Sequence, residues 1–338
     1  MGVTVCVCGG GNLGHVVAGF MAAQEKVEVR LLTRHPERWA DTLNITTPDR
    51  GTLHGPLSLV TSDAERAMLG TNIVLLCLPG YAIGDTLRHI RPYLSSATAV
   101  GSIVSSTGYF FEAMNLLPAD VPLFGFQRVP FIARTVDYGR AARLMGYKPL
   151  LKVCIERTDA KEPLRQQLES LLKTPIHLLD NYYEASLTNS NPLLHPARLF
   201  TMWHDWQPGV VYDDCCKFYA DWTVEASEAY LTMDDEFQQL LKQLPISEGS
   251  IPTVLDYYES TDALSLTHKL RSITAFQSIK APMRQVPGGY VPDFQSRYFT
   301  EDFPFGLSIV HRLAQQHGVS TPLISEILAW GKSKLSAF

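Results

Sequence analysis

The N-terminal segment reads Thr4-Val5-Cys6-Val7-Cys8-Gly9-Gly10-Gly11-Asn12-Leu13-Gly14-His15-Val16-Val17, and it determines the predicted fold of the whole chain. An apolar run typical of a buried strand leads directly into three glycines, and a helix is predicted from Asn12 to about residue 24. Gly9, Gly11 and Gly14 have the G-x-G-x-x-G spacing of a dinucleotide-binding turn: the first permits the tight turn, the second the approach of a pyrophosphate and the third close helix–strand packing. The first N–H groups of the helix, at Asn12 and Leu13, favour an anion. A glycine-rich loop without a ligand is the alternative, but the position between a strand and a helix favours a dinucleotide.

The residues after the second predicted strand, Val27–Leu32, indicate which dinucleotide binds. In this pattern a carboxylate near the end of that strand usually accepts a hydrogen bond from the adenosine ribose 2′-OH. This chain has Thr33 and Arg34 there, with Arg38 close behind. A guanidinium can bind a 2′-phosphate with two parallel hydrogen bonds, whereas a carboxylate would repel it. NADP(H) is therefore the expected cofactor, with NAD(H) possible if both arginines are solvated loop charges or if Arg34 stacks on adenine.

Strand and helix patterns alternate through the first half of the chain, which predicts an α/β fold with a Rossmann-type doubly wound parallel sheet. Ligands of such sheets bind beyond the carboxyl ends of the strands, so the loops that begin at Pro79 and Ser105 should border the cofactor. After residue 32 the predicted strands are 57–60, 72–78, 97–104, 121–126, 150–156 and 176–179, and the predicted helices are 63–69, 81–94 and 161–172.

The pattern changes near Asp180-Asn181, after which helical periodicity replaces the strands. We therefore expect a dinucleotide-binding domain over residues 1–181 and an all-helical substrate and catalytic domain over residues 182–338. The cleft between two such domains is the default place for a substrate. The predicted helices of the second domain are 218–244, 253–276, 307–316 and 322–335.

The composition is that of an ordinary globular protein, with 46% hydrophobic residues, 19% charged residues and a net charge of −5. So mild a negative charge gives no reason to expect nucleic acid or an anionic membrane as a partner. No apolar run approaches the roughly 20 residues of a membrane span, and because the first strand opens the chain we expect no signal peptide. The 6 cysteines are scattered, which favours buried thiols in a reducing cytoplasm. A homodimer is possible.

Two segments of the second domain, residues 188–197 and 297–306, are more polar than a helical core requires. The first contains His195 between prolines, and the second contains Arg297 and Asp302. These side chains suit the reduction of a carbonyl or an imine, in which His195 moves the proton, Asp302 orients the histidine and Arg297 binds a substrate carboxylate. A structural histidine and a surface ion pair are the alternatives. No common metal-ligand spacing is recognisable among the histidines and carboxylates, so we expect no metal.

Several motifs together resemble the opine dehydrogenase family of the octopine/nopaline type. The resemblance implies an enzyme that joins the amino group of an amino acid to a 2-keto acid and reduces the imine with hydride from NAD(P)H. It also implies that His195 and Asp302 transfer the proton, while Arg297 binds a carboxylate. Related members make metal-chelating opines with NADPH, which fits Arg34 and Arg38. The motifs are Gly9-Gly-Gly-Asn-Leu-Gly14, Asn189 with Asn191-Pro-x-x-His195, Arg297-Tyr-x-x-Glu-Asp302-x-Pro304 and the proline-aromatic-x-x-arginine segment Pro130–Arg134.

Two other functions remain open on the sequence. A reductase of 2-keto or 2-hydroxy acids, similar to ketopantoate reductases, would share both domains but usually uses a catalytic lysine, for which this chain has no recognisable motif. A non-catalytic NADP(H)-binding module on a degenerate enzyme scaffold is the other possibility, and the intact set of His195, Arg297 and Asp302 argues against it. Keto-acid turnover without an amine would favour the reductase, and failure to oxidise NADPH would favour the module.

Overall fold

The computed structural model describes residues 2–336, and the chain divides into two compact units. The first unit ends at Thr188 and the second begins at Asn189. The sequence pattern placed the division after Asn181. The short helix Tyr182–Leu187 accounts for the difference, because it packs against the strand Leu151–Glu156 of the first unit.

The first unit is built on a large sheet with helices on its faces. Its sheet order is β12-β11-β8-β7-β6-β1-β2-β5, and neighbouring strands are parallel except for the antiparallel pair β8 and β11. This arrangement confirms the predicted Rossmann-type doubly wound sheet. In chain order the strands of this unit are β1 (Val3–Cys8), β2 (Val27–Leu32), β3 (Thr42–Thr46), β4 (Thr52–Pro56), β5 (Leu59–Thr61), β6 (Ile73–Leu76), β7 (Ala99–Ser102), β8 (Leu123–Phe126), β9 (Phe131–Asp137), β10 (Ala141–Tyr147), β11 (Leu151–Glu156) and β12 (Ile176–Leu178).

The order of the strands reverses at β1, which lies between β2 and β6. Cys77, just beyond β6, donates its N–H to the carbonyl oxygen of Cys8 at 2.8 Å, so the carboxyl ends of β1 and β6 are adjacent. Ligands of doubly wound sheets bind at this switch point. The helices of the unit are α1 (Asn12–Ala22), α2 (Ala64–Met68), α3 (Gly80–Ile90), α4 (Tyr109–Leu116), α5 (Lys161–Leu172) and α6 (Tyr182–Leu187), with 3₁₀ turns at Pro36–Arg38, Arg91–Tyr93 and Ser105–Thr107.

Strand β1 supplies side chains to both faces of the sheet. Val5 and Val7 join the hydrophobic cluster that contains helix α1, while Cys6 and Cys8 join the cluster on the opposite face. All four are at most 1% exposed. Burial on both faces is why a central parallel strand reads as one continuous apolar run. Each fully buried valine contributes about 1.5–3 kcal/mol.

A second sheet, with the order β4-β3-β10-β9, was missed by the sequence analysis. It packs on helix α1, where Gly19 and Gly55 let the helix and β4 approach so closely that a Cβ atom on Gly55 would overlap the Gly19 carbonyl. The sequence carried a signal for this sheet. In Thr42–Thr46 the buried Leu43 and Ile45 alternate with exposed polar residues, which is the period of a half-buried strand.

As far as residue 336, the second unit is helical except for one antiparallel hairpin, which the predicted all-helical domain lacked. Its strands are joined at Pro287-Gly288, and Gly288 has φ +90°. The elements are α7 (Asn191–Trp203), α8 (Val224–Leu241), α9 (Val254–Tyr257), α10 (Ala263–Ser272), a 3₁₀ turn at Thr274–Phe276, β13 (Met283–Val286), β14 (Gly289–Pro292), α11 (Arg297–Thr300), a π-helical turn at Phe303–Leu307, α12 (Ser308–Gln316) and α13 (Pro322–Ser336).

One helix start in this unit differs from the predicted one, and the predicted helix over 253–276 is divided into α9, α10 and a 3₁₀ turn. Helix α8 begins only at Val224, because the Thr223 side chain caps it by accepting the Ala226 N–H, and residues 218–222 therefore form a loop. Helix α13 begins at Pro322 as predicted. Its first N–H groups are bound by the Glu236 carboxylate of α8, which accepts from Leu323 at 2.8 Å and Ile324 at 2.9 Å. Within residues 2–336 no helix has both the length and the apolar character that crossing a membrane requires.

Candidate active site

Steric crowding explains why the first and last residues of the turn after β1 are glycines. Gly9 has φ +117°, and a Cβ atom there would press against the carbonyl oxygen of Cys77. A Cβ atom on Gly14 would overlap the carbonyl oxygen of Gly9. Side chains at these positions would force β1, α1 and β6 apart.

The middle of the same turn is open and forms a cradle for an anion. Gly11 is exposed, and nothing lies within 4 Å of where its Cβ atom would be. Helix α1 begins directly after it, and in this described turn no side chain caps the first N–H groups. An open glycine at the positive end of a helix fits the pyrophosphate of a nicotinamide dinucleotide. The residues present therefore fit the cofactor.

Asn12 and Leu13 lie at the start of α1, and the side chain of Asn12 is already engaged. Its Oδ1 accepts the backbone N–H of Thr135 in β9 at 2.8 Å. The side chain thus fixes the glycine turn to the small sheet. The backbone N–H groups of Asn12 and Leu13 remain suited to a phosphate.

The predicted adenosine-binding residues follow β2. Thr33 donates its N–H to the Thr61 carbonyl at 2.9 Å and is partly buried. Arg34 is exposed, and the guanidinium of Arg38 lies over the Tyr138 ring, 4.4 Å from its centroid. The carboxylate of this segment, Glu37, pairs with His35 at 3.3 Å. Two guanidinium groups therefore follow β2, one exposed and one held over an aromatic ring.

Pro79 lies beyond β6 at the switch point and caps the N-terminus of α3. Its φ of −68° and ψ of 159° are extended, which turns the chain from strand to helix. The hydrogen bond from Cys77 to Cys8 places this turn beside the glycine turn. The turn at Pro79 and the turn at Gly9 thus follow two adjacent strands at the same edge of the sheet.

His195 and Asp302 form a hydrogen-bonded pair in the second unit. The Nδ1 atom of His195 lies 2.7 Å from Oδ2 of Asp302, and the two side chains are 10% and 17% exposed. His195 lies near the start of α7, and Asp302 directly precedes the π-helical turn. Gly306 in that turn packs directly on the Pro192 ring, where a Cβ atom would not fit. This close contact explains how the two sequence motifs meet.

Tyr219 binds the other ring nitrogen of His195, with its hydroxyl oxygen 2.9 Å from Nε2. Burial raises the pKa of Tyr219 well above its usual range, so the phenol stays protonated and donates its O–H. Nε2 then accepts, Nδ1 carries the ring proton, and that proton is donated to Asp302. Tyr219 was not predicted as a site residue, because residues 218–222 were expected to begin a helix. Its aromatic neighbours Phe218 and Trp222 gave no functional signal.

Arg198 holds the loop that carries Tyr219. It is 4% exposed and lies on α7 three residues after His195. Its Nε donates to the Phe218 carbonyl at 3.3 Å and its Nη2 to the Asp221 carbonyl at 2.6 Å. Burial lowers the pKa of this guanidinium from its ordinary value. The helix that carries the imidazole thus also fixes its tyrosine partner, and the sequence analysis missed this residue as well.

Arg297 lies near this pair but has a different environment. Its side chain is 85% exposed, and its Nε is 4.0 Å from Oε1 of Glu301. The next residue, Tyr298, packs its ring edge-on against the imidazole of His195 with 4.6 Å between centroids. The structure therefore joins His195 to Asp302 directly and leaves the Arg297 guanidinium extended into solvent, where an anion can reach it.

Among residues 2–336 no group of three or more histidine, cysteine, aspartate or glutamate side chains is placed to hold a metal ion.

Comparison with known families assigns different matches to the two parts of the chain. The family model described as NAD/NADP octopine/nopaline dehydrogenase, alpha-helical domain, matches residues 178–335. The model described as ketopantoate reductase PanE/ApbA matches residues 5–109.

Individual relatives match over nearly the whole chain. An opine dehydrogenase of Haliotis discus hannai is 28% identical, over 98% of this chain and 90% of that protein. An octopine dehydrogenase of Pecten maximus is 27% identical, over 99% and 91%. A solved octopine dehydrogenase structure with NADH and L-arginine has a TM-score of 0.87 at 26% identity, over 99% and 90%. A yersinopine dehydrogenase with NADP⁺ bound, at 15% identity over 99% and 91%, has a TM-score of 0.78 and shows likeness of fold alone.

Proposed function

The chain belongs to the octopine/nopaline dehydrogenase family of NAD(P)-dependent oxidoreductases acting on CH–NH groups, and from this we propose that it condenses an amino acid with a 2-keto acid and reduces the imine. In that reaction the amine nitrogen replaces the keto oxygen, which leaves as water. A hydride then adds to the imine carbon and a proton to the nitrogen. The observation that carries the proposal is the hydrogen bond of 2.7 Å between His195 and Asp302.

A nicotinamide dinucleotide supplies the hydride when bound. The glycine turn from Gly9 to Gly14 offers its backbone N–H groups to the pyrophosphate. NADP(H) is proposed over NAD(H), because Arg34 and Arg38 follow β2 where NAD-specific turns carry a carboxylate. Structures of family relatives have been solved with NADH, so the two arginines and not the family support this preference.

His195 is proposed as the general acid and base. With its Nδ1–H held by Asp302 and its Nε2 accepting the Tyr219 O–H, His195 would take up a proton at Nε2 by relay, in which the Tyr219 hydroxyl passes its own proton to Nε2 as it takes one from the substrate. That proton would come from the ammonium group of the amino acid, which makes the nitrogen nucleophilic. The imidazolium, stabilised by the Asp302 carboxylate, would return the proton to the hydroxyl group that leaves as water. Tyr219 holds the ring from the Nε2 side.

Arg297 is proposed to bind a substrate carboxylate. A guanidinium binds a carboxylate with two parallel hydrogen bonds, and this one is extended into solvent beside Tyr298. Both substrates carry a carboxylate, and solved octopine dehydrogenase structures contain L-arginine or pyruvate. Pyruvate with a set of L-amino acids is therefore the first substrate set to examine.

The cysteines are free, and Cys6, Cys8 and Cys154 are buried, which supports a reducing cytoplasmic location.

The test is a matrix of amino acids and 2-keto acids assayed with NADPH and with NADH. We expect oxidation of NADPH only when an amine and a keto acid are both present, with an N-linked dicarboxylate as the product by mass spectrometry. Oxidation with a keto acid alone would instead identify a keto-acid reductase. Binding of NADPH without turnover across the matrix would identify a non-catalytic module.

A further inference from the structure

His15 is fully buried, and both of its ring nitrogens are engaged. Its Nδ1 lies 2.9 Å from the carbonyl oxygen of Gly11, and its Nε2 lies 2.7 Å from the backbone nitrogen of Gly139. A carbonyl can only accept and an amide N–H can only donate, so Nδ1 carries the proton and Nε2 accepts. The imidazole is therefore neutral and joins the glycine turn directly to the turn between β9 and β10.

The turn at Gly139 is in contact with the segment that follows β2. Gly139 has φ +74°, and a Cβ atom there would overlap the carbonyl oxygen of Arg38. The Gly139 carbonyl accepts the N–H of Ala40 at 2.9 Å. The neighbouring Tyr138 presents its ring to the Arg38 guanidinium at 4.4 Å. The position of Arg38 is thus set by the turn that His15 holds.

Aromatic contacts close the group around the imidazole. Trp39 stacks on the His15 ring with 4.2 Å between centroids, and Tyr138 meets it edge-on at 5.0 Å. The same two rings lie against Gly10, where a Cβ atom would be 2.7 Å from the Tyr138 hydroxyl and 2.9 Å from the Trp39 ring. We call His15, Trp39, Tyr138 and Gly139 the His15 cluster.

A purely apolar side chain could fill this site and stack on Trp39. The imidazole does more, because it satisfies one buried acceptor and one buried donor that belong to two different binding segments. The first is Gly11, directly before the N–H groups offered to a pyrophosphate. The second is the turn that positions Arg38, one of the two guanidinium groups offered to a 2′-phosphate.

We propose that His15 is a positioning residue for the dinucleotide, which fixes the glycine turn relative to Arg38 so that both phosphate groups of the adenosine half are bound together. The proposal rests on the proposed NADP(H) function. Losing the imidazole would leave the Gly11 carbonyl and the Gly139 N–H without this partner and would loosen both segments. NADH would then bind more weakly, because its pyrophosphate contacts the glycine turn. NADPH would lose more affinity than NADH, because it contacts both the glycine turn and Arg38.

The test measures dissociation constants for NADPH and NADH by cofactor fluorescence on the full chain. We compare the wild type with His15→Phe, which keeps an aromatic ring on Trp39 and removes both hydrogen bonds. We expect the constant for NADH to rise about tenfold and that for NADPH to rise further, since a hydrogen bond is worth roughly a factor of ten. His54→Phe is the matched control, because His54 is exposed on β4 and pairs with Asn44. It should leave both constants unchanged.

Two more variants test the proposal if His15→Phe does not fold. His15→Gln retains an oxygen that can accept the Gly139 N–H, so it should recover part of the affinity. Tyr138→Leu removes the ring under Arg38 and should weaken NADPH more than NADH.

The positioning role would be overturned if folded His15→Phe and His15→Gln bound both cofactors with unchanged dissociation constants and showed only a lower melting temperature. His15 would then have a purely structural role. Equal weakening of both cofactors would overturn the link to Arg38. A wild type that prefers NADH would contradict the proposed cofactor instead. The positioning role would then be decided by the constant for NADH alone.

Discussion

His195 and Asp302 are separated by 107 positions in the chain, yet Nδ1 of the first lies 2.7 Å from Oδ2 of the second. Tyr219 holds Nε2 from the opposite side at 2.9 Å. An imidazole held at both nitrogens has a defined tautomer and ring orientation, which proton transfer to a bound substrate requires.

Tyr219→Phe should lower kcat about tenfold and leave the KM for the keto acid and the dissociation constant of the cofactor nearly unchanged. The phenyl ring keeps the stacking on Phe276, whose centroid lies 4.3 Å away, but no longer orients Nε2. Steady-state kinetics with separate cofactor titrations measure the effect. Tyr257→Phe is the control, because Tyr257 is 56% exposed. A rise in KM alone would assign Tyr219 to substrate binding.

Arg297→Leu should raise the KM for a carboxylate substrate about tenfold or more, because one charge-assisted pair is lost. The guanidinium is 85% exposed, so the melting temperature should hardly move. The control is Arg284→Leu, which removes an exposed arginine from β13. If KM is unchanged in Arg297→Leu, the carboxylate is bound elsewhere.

Arg34→Ala should weaken NADPH about tenfold without weakening NADH, because only NADPH carries the 2′-phosphate. Isothermal titration with both cofactors tests this. Arg91→Ala removes an exposed arginine from a 3₁₀ turn elsewhere in the same unit and should change neither affinity. Equal loss for both cofactors in Arg34→Ala would instead support stacking of Arg34 on adenine.

The stability of the protein should fall as the pH drops below about 6.5, in part through His15. Burial lowers the pKa of His15 from its ordinary value of 6.5, so below that pH the unfolded chain takes up a proton that the folded chain excludes. The stabilisation is complete above 6.5 and is lost as the pH falls towards the folded-state pKa. Urea unfolding from pH 8 to 5 should show a steeper loss in the wild type than in His15→Phe. If the wild type and His15→Phe lose stability to the same extent as the pH falls, His15 does not contribute to the pH dependence.

The features that the sequence predicted are those with local signals. The glycine spacing from Gly9 to Gly14 lies between a strand and a helix, and together with the alternation of strands and helices it correctly indicated the doubly wound sheet. The elements around His195 and Asp302 were found from their unusual polarity, and the structure brings these two side chains together.

The features that the sequence did not predict depend on contacts between distant residues. Tyr219 is 24 positions from His195, and nothing in its neighbourhood marks it as a partner. Asn12 accepts from Thr135, 123 positions away, a pairing that only the folded small sheet creates. Strand β3 is an exception, since its alternating pattern was present in the sequence and was not used.

Turnover by His195→Ala tests the central claim most directly. The variant should be assayed with the amino acid and keto acid that the wild type uses, and its cofactor dissociation constant should be measured in parallel. We predict a loss in kcat of about 10²–10⁴-fold with an unchanged cofactor dissociation constant, because general acid–base catalysis contributes on that order. Turnover at the wild-type rate, or a loss that is matched by lost cofactor binding, would contradict the assignment of His195 as the residue that moves the proton.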